Sequence, residues 1–107
     1  MAYKINENNY ENEVIKSDIP VMIDFYAEWC GPCRMMSPVV EQFADEYAGK
    51  VKIGKVNVDE ERSLALKFGI QSIPCFVFIK DGRITDTVVG AMPGQALNSH
   101  LERLVAS

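Results

Sequence analysis

The chain has 107 residues, 48% of them hydrophobic, enough for one compact core and too little for two, so residues 1–107 are expected to form a single domain. Its 15 acidic and 11 basic residues give a net charge of −4 with no basic cluster interleaved with aromatics, which argues against a nucleic-acid surface. Met1–Glu7 lacks the charged start and apolar core of a signal peptide, and no apolar run reaches membrane-spanning length; the expectation is a cytoplasmic protein without membrane contact.

Tyr3 to Ile5 reads as a short strand, and Asn6 or Asn8 as the cap of a helix reaching about Lys16, with Glu7, Glu11 and Glu13 on a solvated acidic face. Val21 to Ala27 is nearly continuous apolar sequence, as in a central strand covered on both faces, and carries one misfit, Asp24. From Pro32, the residues Met35, Met36, Val39, Val40, Phe43, Ala44 and Tyr47 recur at helical spacing until Ala48-Gly49, the methionines reading as core filler. Pro38 falls mid-helix, where it removes the bond to the Arg34 carbonyl and should kink the axis.

Val51 to Val58 reads as another strand, followed by an Asp59-capped helix running to Phe68-Gly69. Phe76 to Ile79 and Arg83 to Val89 flank Asp81-Gly82, a strong hairpin signal. Pro93 opens a last helix with Ala96, Leu97, Leu101, Leu104 and Val105 on one face. The order βαβαβαββα predicts an α/β fold: a mixed central sheet with helices on both faces, crossovers first, then a hairpin whose second strand runs antiparallel.

Cys30 and Cys33 stand in Trp29-Cys30-Gly31-Pro32-Cys33, where the apolar strand gives way to the long helix. In a reducing compartment such a close pair is catalytic or metal-binding rather than a structural staple. A cysteine at a helix start lies near unpaired N–H groups and the positive end of the dipole, both of which favour thiolate. On a regular helix the two Cβ atoms lie about 5 to 6 Å apart, against about 3.8 Å in a disulfide. A slight tightening of one turn therefore interconverts dithiol and disulfide.

Phe25-Tyr26-Ala27-Glu28-Trp29-Cys30-Gly31-Pro32-Cys33, then Lys55-Val56-Asn57-Val58-Asp59, Gly69-Ile70, Ile73-Pro74, Lys80-Asp81-Gly82 and Val89-Gly90, in this order, resemble the thioredoxin family over almost the whole chain. The resemblance implies the thioredoxin fold and a general protein disulfide reductase: Cys30 attacks a target disulfide, and Cys33, one turn deeper and shielded, resolves the mixed disulfide. Cys30 is expected to be exposed at the strand end. No cofactor is expected beyond the Cys30–Cys33 couple.

Asp24 loses hydration in its apolar strand and should have a raised pKa. The resemblance implies that it helps deprotonate Cys33 through water with Lys55 modulating it; the competing reading is that Asp24 simply pairs with Lys55. Gly31 and Pro32 set the redox poise, because Pro32 offers neither charge nor N–H to the Cys30 thiolate and so points to a reductant. Trp29, Ile73, Pro74, Gly90 and Ala91 look like a substrate rim. The resemblance implies a cis Ile73-Pro74 bond that exposes the Ile73 backbone to an extended client, with Gly90 leaving room. The implied partners are an NADPH-dependent flavoprotein, thioredoxin reductase, and disulfide-containing clients, with the protein acting as a monomer.

Two departures from the family pattern are Tyr26, where a second tryptophan is common, and Cys75, where threonine is common. Cys75 reads as a small buried strand residue, with a regulatory thiol as the sharper option. Cys30, Cys33, Cys75 and His100 also add up to a Cys₃His zinc set, although their spacing lacks the two close pairs of a structural site. A third reading is a binding subunit that uses the rim without the cysteines.

Overall fold

In a computed structural model that describes residues 1–107, the strands are β1 (Tyr3–Lys4), β2 (Val21–Tyr26), β3 (Lys52–Asn57), β4 (Cys75–Lys80) and β5 (Arg83–Val89). The helices are α1 (Gly31–Glu46), α2 (Arg62–Lys67) and α3 (Gly94–Ala106), preceded by a short π-helical stretch, Glu11–Ile15. The strands form one mixed sheet in the order β1-β3-β2-β4-β5, so β2 lies at its centre. Val21, Met22, Ile23, Asp24 and Phe25 are each at most 1% exposed, which is why this strand reads as continuous rather than alternating apolar sequence.

Both faces of the sheet are covered. Met22, Phe76 and Phe78 pack with Met36, Val40 and Phe43 of α1 and with Leu97, Leu101 and Leu104 of α3. On the opposite face Ile23, Phe25 and Val77 pack with Val14 of the π-helical stretch, Leu64 of α2 and the neighbouring Phe68. At the Asp81-Gly82 turn both residues have positive φ, 53° and 76°, the backbone that joins two strands of natural twist in a tight hairpin.

Four sequence expectations need correction. The antiparallel entrant to the sheet is β4, which pairs antiparallel with β2; β5, antiparallel to β4, therefore runs in the same direction as β2. Helix α2 has only 6 residues, about 9 Å of rise, too little to carry the chain back across the sheet. So β4 enters at the end where β2 and β3 finish. The first helix is confined to the stretch around Glu11–Ile15: Asn6 Oδ1 accepts the N–H groups of Asn8 and Asn9 at 2.9 Å each, while the Asn8 side chain caps nothing. Asp59 is not the cap of α2, whose N-cap is Glu61 with no side-chain bond. Met35 and Val105 are 74% and 44% exposed, because the buried stripes of their helices run through Met36, Val40 and Phe43 and through Leu97, Leu101 and Leu104.

Helix α1 continues through Pro38, and the missing N–H falls at an exposed position.

Candidate redox site

The site lies at the end of the sheet where β2 stops and α1 begins. Cys30 is the N-cap of α1, in extended backbone conformation, and its Sγ accepts the Cys33 N–H at 3.2 Å. An N-cap side chain ordinarily offers oxygen to the third amide of its helix; here sulfur takes that position. Gly31 and Pro32 form the first turn, and Pro32 sits where its lack of an N–H leaves no intrahelical bond unmade. Cys30 and Cys33 are joined by a disulfide with Cα atoms 5.2 Å apart.

Cys30 is 5% and Cys33 4% exposed, so the expectation of an exposed Cys30 is corrected. Two contacts account for its burial: the Cys30 sulfur turns back over the first helical turn, and it lies 3.9 Å from the Ile73 carbonyl oxygen.

Ile73 and Pro74 immediately precede β4 and are joined by a cis peptide. The Gly90 N–H donates to the Pro74 carbonyl at 2.8 Å, and Gly90 has φ of +100°, which brings the chain leaving β5 beside the same loop. Ile73 is half-buried, and its N–H donates to no group of the chain. Trp29 is 69% exposed beside the dithiol, and Ala91 is exposed just beyond Gly90. The fold thus gathers Trp29, Cys30, Gly31, Pro32, Cys33, Ile73, Pro74, Gly90 and Ala91 at one end of the sheet.

Asp24 sits deeper, in the middle of β2, with Lys55 of β3 and Phe76 of β4 as its register neighbours. Side chains alternate along β2, so Asp24 shares the face of Met22, the face covered by α1. It is 1% exposed and its Oδ1 has no hydrogen-bond partner. Burial pushes its carboxyl up to about 7; Lys55 pulls in the other direction and Glu41 adds to the rise.

Pairing of Asp24 with Lys55 is not what forms. The Lys55 ammonium lies 3.8 Å from Glu41 Oε2, donates to Ser37 Oγ at 3.3 Å and stands 4.6 Å from the centre of the Tyr26 ring.

Two residues of this neighbourhood escape a reading of the sequence. Asp59 Oδ2 accepts the Trp29 indole N–H at 2.8 Å, while Asn57 Oδ1 fixes the Asp59 N–H at 2.9 Å. Glu41 is the second. Its only local signal is the four-residue spacing from Ser37, which puts both on the α1 surface that Lys55 meets.

The four residues of the zinc reading do not converge. Cys75 is buried on the face of β4 that carries Val77 and Ile79, whereas His100 stacks on Phe78, on the other face and three residues farther along. No three His, Cys, Asp or Glu side chains cluster in a metal-holding arrangement.

A family model described as "Thioredoxin" matches residues 1–103. The chain is 46% identical over 102 residues to "Thioredoxin 1" of Nostoc sp., covering 95% of each chain. It is also 46% identical over 99 residues to "Thioredoxin" of Haemophilus influenzae, covering 92% of each. To "Thioredoxin M-type, chloroplastic" of Pisum sativum it is 45% identical over 101 residues, which are 94% of this chain and 59% of the relative. A match of this extent, carried by a chain whose helix-capping cysteine is bridged to the next turn, makes it a member of the thioredoxin family, thiol–disulfide oxidoreductases that reduce protein disulfides.

Proposed function

We propose that the Cys30 thiolate attacks one sulfur of a client disulfide, forming a Cys30–client bond and releasing the other client sulfur as a thiolate that takes up a proton. Cys33 then loses its proton to Asp24, directly or through water, and its thiolate attacks Cys30 Sγ. The Cys30–client bond breaks and the client leaves as a second thiolate. The client has gained two electrons, and the protein has lost two in forming the Cys30–Cys33 bond. The observation that carries this reading is the Cys33 N–H donated to Cys30 Sγ at the start of α1. A donor and a helix N-terminus at that sulfur stabilise negative charge on Cys30 rather than on Cys33.

Asp24 is the proton acceptor in this reading, supported by its burial and its carboxyl near neutrality, with Lys55 as the modulating charge. Gly31 and Pro32 supply no side-chain donor to Cys30, which favours a reductant. Trp29, Ile73, Pro74, Gly90 and Ala91 form the client rim, and the unpartnered Ile73 N–H favours main-chain pairing with an extended client. We further propose that residues 1–107 act as one domain and as a monomer, and that an NADPH-dependent flavoprotein reductase regenerates the dithiol. A reducing, cytoplasmic setting suits a chain whose third cysteine, Cys75, remains free.

The test is insulin disulfide reduction driven by dithiothreitol. Wild type accelerates it, Cys30→Ser abolishes the acceleration, and Cys33→Ser accumulates a mixed disulfide. Acceleration that survives Cys30→Ser overturns the assignment of the nucleophile.

A further inference from the structure

The Lys55 ammonium and the Asp24 carboxylate sit on adjacent strands in register, on one face of the sheet, and yet make no ion pair. Paired strands lie about 4.8 Å apart, well within the reach of a lysine side chain. Something else must hold the ammonium. Glu41 lies on α1 above that face; its Oε1 accepts the Ala2 N–H at 2.9 Å and its Oε2 lies 3.8 Å from Lys55 Nζ. The first contact orients the carboxylate, and the second draws the ammonium toward the helix, where the Ser37 hydroxyl and the Tyr26 ring complete its surroundings.

We propose that Glu41 is a positioning residue: with Ser37 and Tyr26 it holds Lys55 against α1 and so keeps the Asp24 carboxylate without an ion-pair partner. The functional consequence rests on the proposed role of Asp24 as proton acceptor. An ammonium folded onto a buried carboxylate favours its ionised form and makes it a poorer base for a thiol. Held off, Asp24 stays basic enough to take the Cys33 proton near neutrality. The other titratable groups that interact with Asp24 are Cys75 of β4 and Tyr26 of its own strand; α1 also carries the buried Cys33, while α3 contributes only leucines to the shared cluster.

The experiment is a carbon-13 titration of the Asp24 side-chain carboxyl in the oxidised protein, where Cys30 and Cys33 do not titrate. It compares wild type, Glu41→Gln, Lys55→Met and the double variant. The Gln amide keeps the shape of Glu41 and an oxygen for the Ala2 N–H, so the fold is retained. Glu41→Gln is expected to lower the Asp24 midpoint by about one unit as Lys55 turns to Asp24. In the Lys55→Met background the same substitution should lower it by less than half as much, since only the direct field of Glu41 is then lost. An unchanged midpoint in Glu41→Gln, or an equal drop in both backgrounds, overturns the positioning role. Client reduction by Glu41→Gln should follow a pH profile displaced to lower pH with the Asp24 midpoint. If Asp24→Asn leaves client reduction and its pH profile unchanged, the proton-acceptor reading fails, while the carboxyl titration still judges Glu41 on its own.

Discussion

The Trp29 indole N–H and the Asp59 carboxylate meet at 2.8 Å across 30 residues of sequence, tying the loop before the dithiol to the loop after β3. Trp29 is exposed, so without that bond its ring has several rotamers open to it. On the proposed reading the bond fixes one wall of the client rim. Asp59→Ala should lower kcat/KM for insulin by about fivefold, corresponding to ~1 kcal/mol for an exposed charge-assisted bond. Most of the change should appear in KM. Steady-state kinetics across insulin concentrations decide it, and a change confined to kcat contradicts a rim role.

Much of the fold was legible because apolar spacing and turn dipeptides are local signals. The two-sided burial of β2, the Asp81-Gly82 hairpin and the buried stripe of α3 through Leu97, Leu101 and Leu104 all follow from residues close together in the chain. The dithiol at the head of α1 was legible for the same reason. What could not be read depends on partners distant in sequence. Asp59 reads as a helix cap because a cap is what an aspartate there does locally; its actual partner, Trp29, is set by how two loops meet. Lys55 likewise turns from its register neighbour to Glu41, and Cys30 is covered in part by a carbonyl 43 residues away. The direction of β4 followed from the reach of α2, which depends on where that helix begins.

Gly54 marks a close approach of β3 to the segment after β1. A Cβ built there would lie 2.6 Å from Ile5 Cγ1 and 3.2 Å from Cδ1, and Ile5 is only 1% exposed, with little room to yield. Gly54→Ala should therefore destabilise the protein by about 2 kcal/mol through overpacking, lowering Tm by roughly 10 °C. Thermal unfolding followed by circular dichroism measures it. An unchanged Tm would mean that the N-terminal segment gives way freely.

Cys75 is free and 3% exposed, and burial, with the nearby Asp24, pushes its thiol pKa up. Both effects suppress the thiolate that alkylating agents consume. In the oxidised protein at pH 8, iodoacetamide should label Cys75 at least about tenfold more slowly than in the urea-unfolded chain. Peptide mapping by mass spectrometry reads the rate at that residue alone. Equal rates with and without urea would favour the regulatory-thiol reading over the packed-strand one.

Asp24 links burial to pH dependence, and the sign can be worked through. Its ordinary carboxyl value is 3.8, and in the folded protein it rises to about 7. Below the unfolded value both states hold the proton and Asp24 costs nothing through ionisation. Between the two values the unfolded chain sheds a proton that the folded chain keeps, so stability falls as pH climbs, and above the folded value the loss is complete. The ceiling on that loss is about 4 kcal/mol. Asp24→Asn removes the titration and introduces a buried amide whose unmet N–H costs about 1–3 kcal/mol at every pH. Comparing the two proteins at pH 4 and at pH 8.5 cancels the amide cost. Guanidinium unfolding of the oxidised forms should show the variant gaining on wild type by about 2 to 4 kcal/mol between those two pH values. A stability difference that stays constant across that range contradicts a proton held by Asp24 near neutrality, and with it the basis for its acting on Cys33.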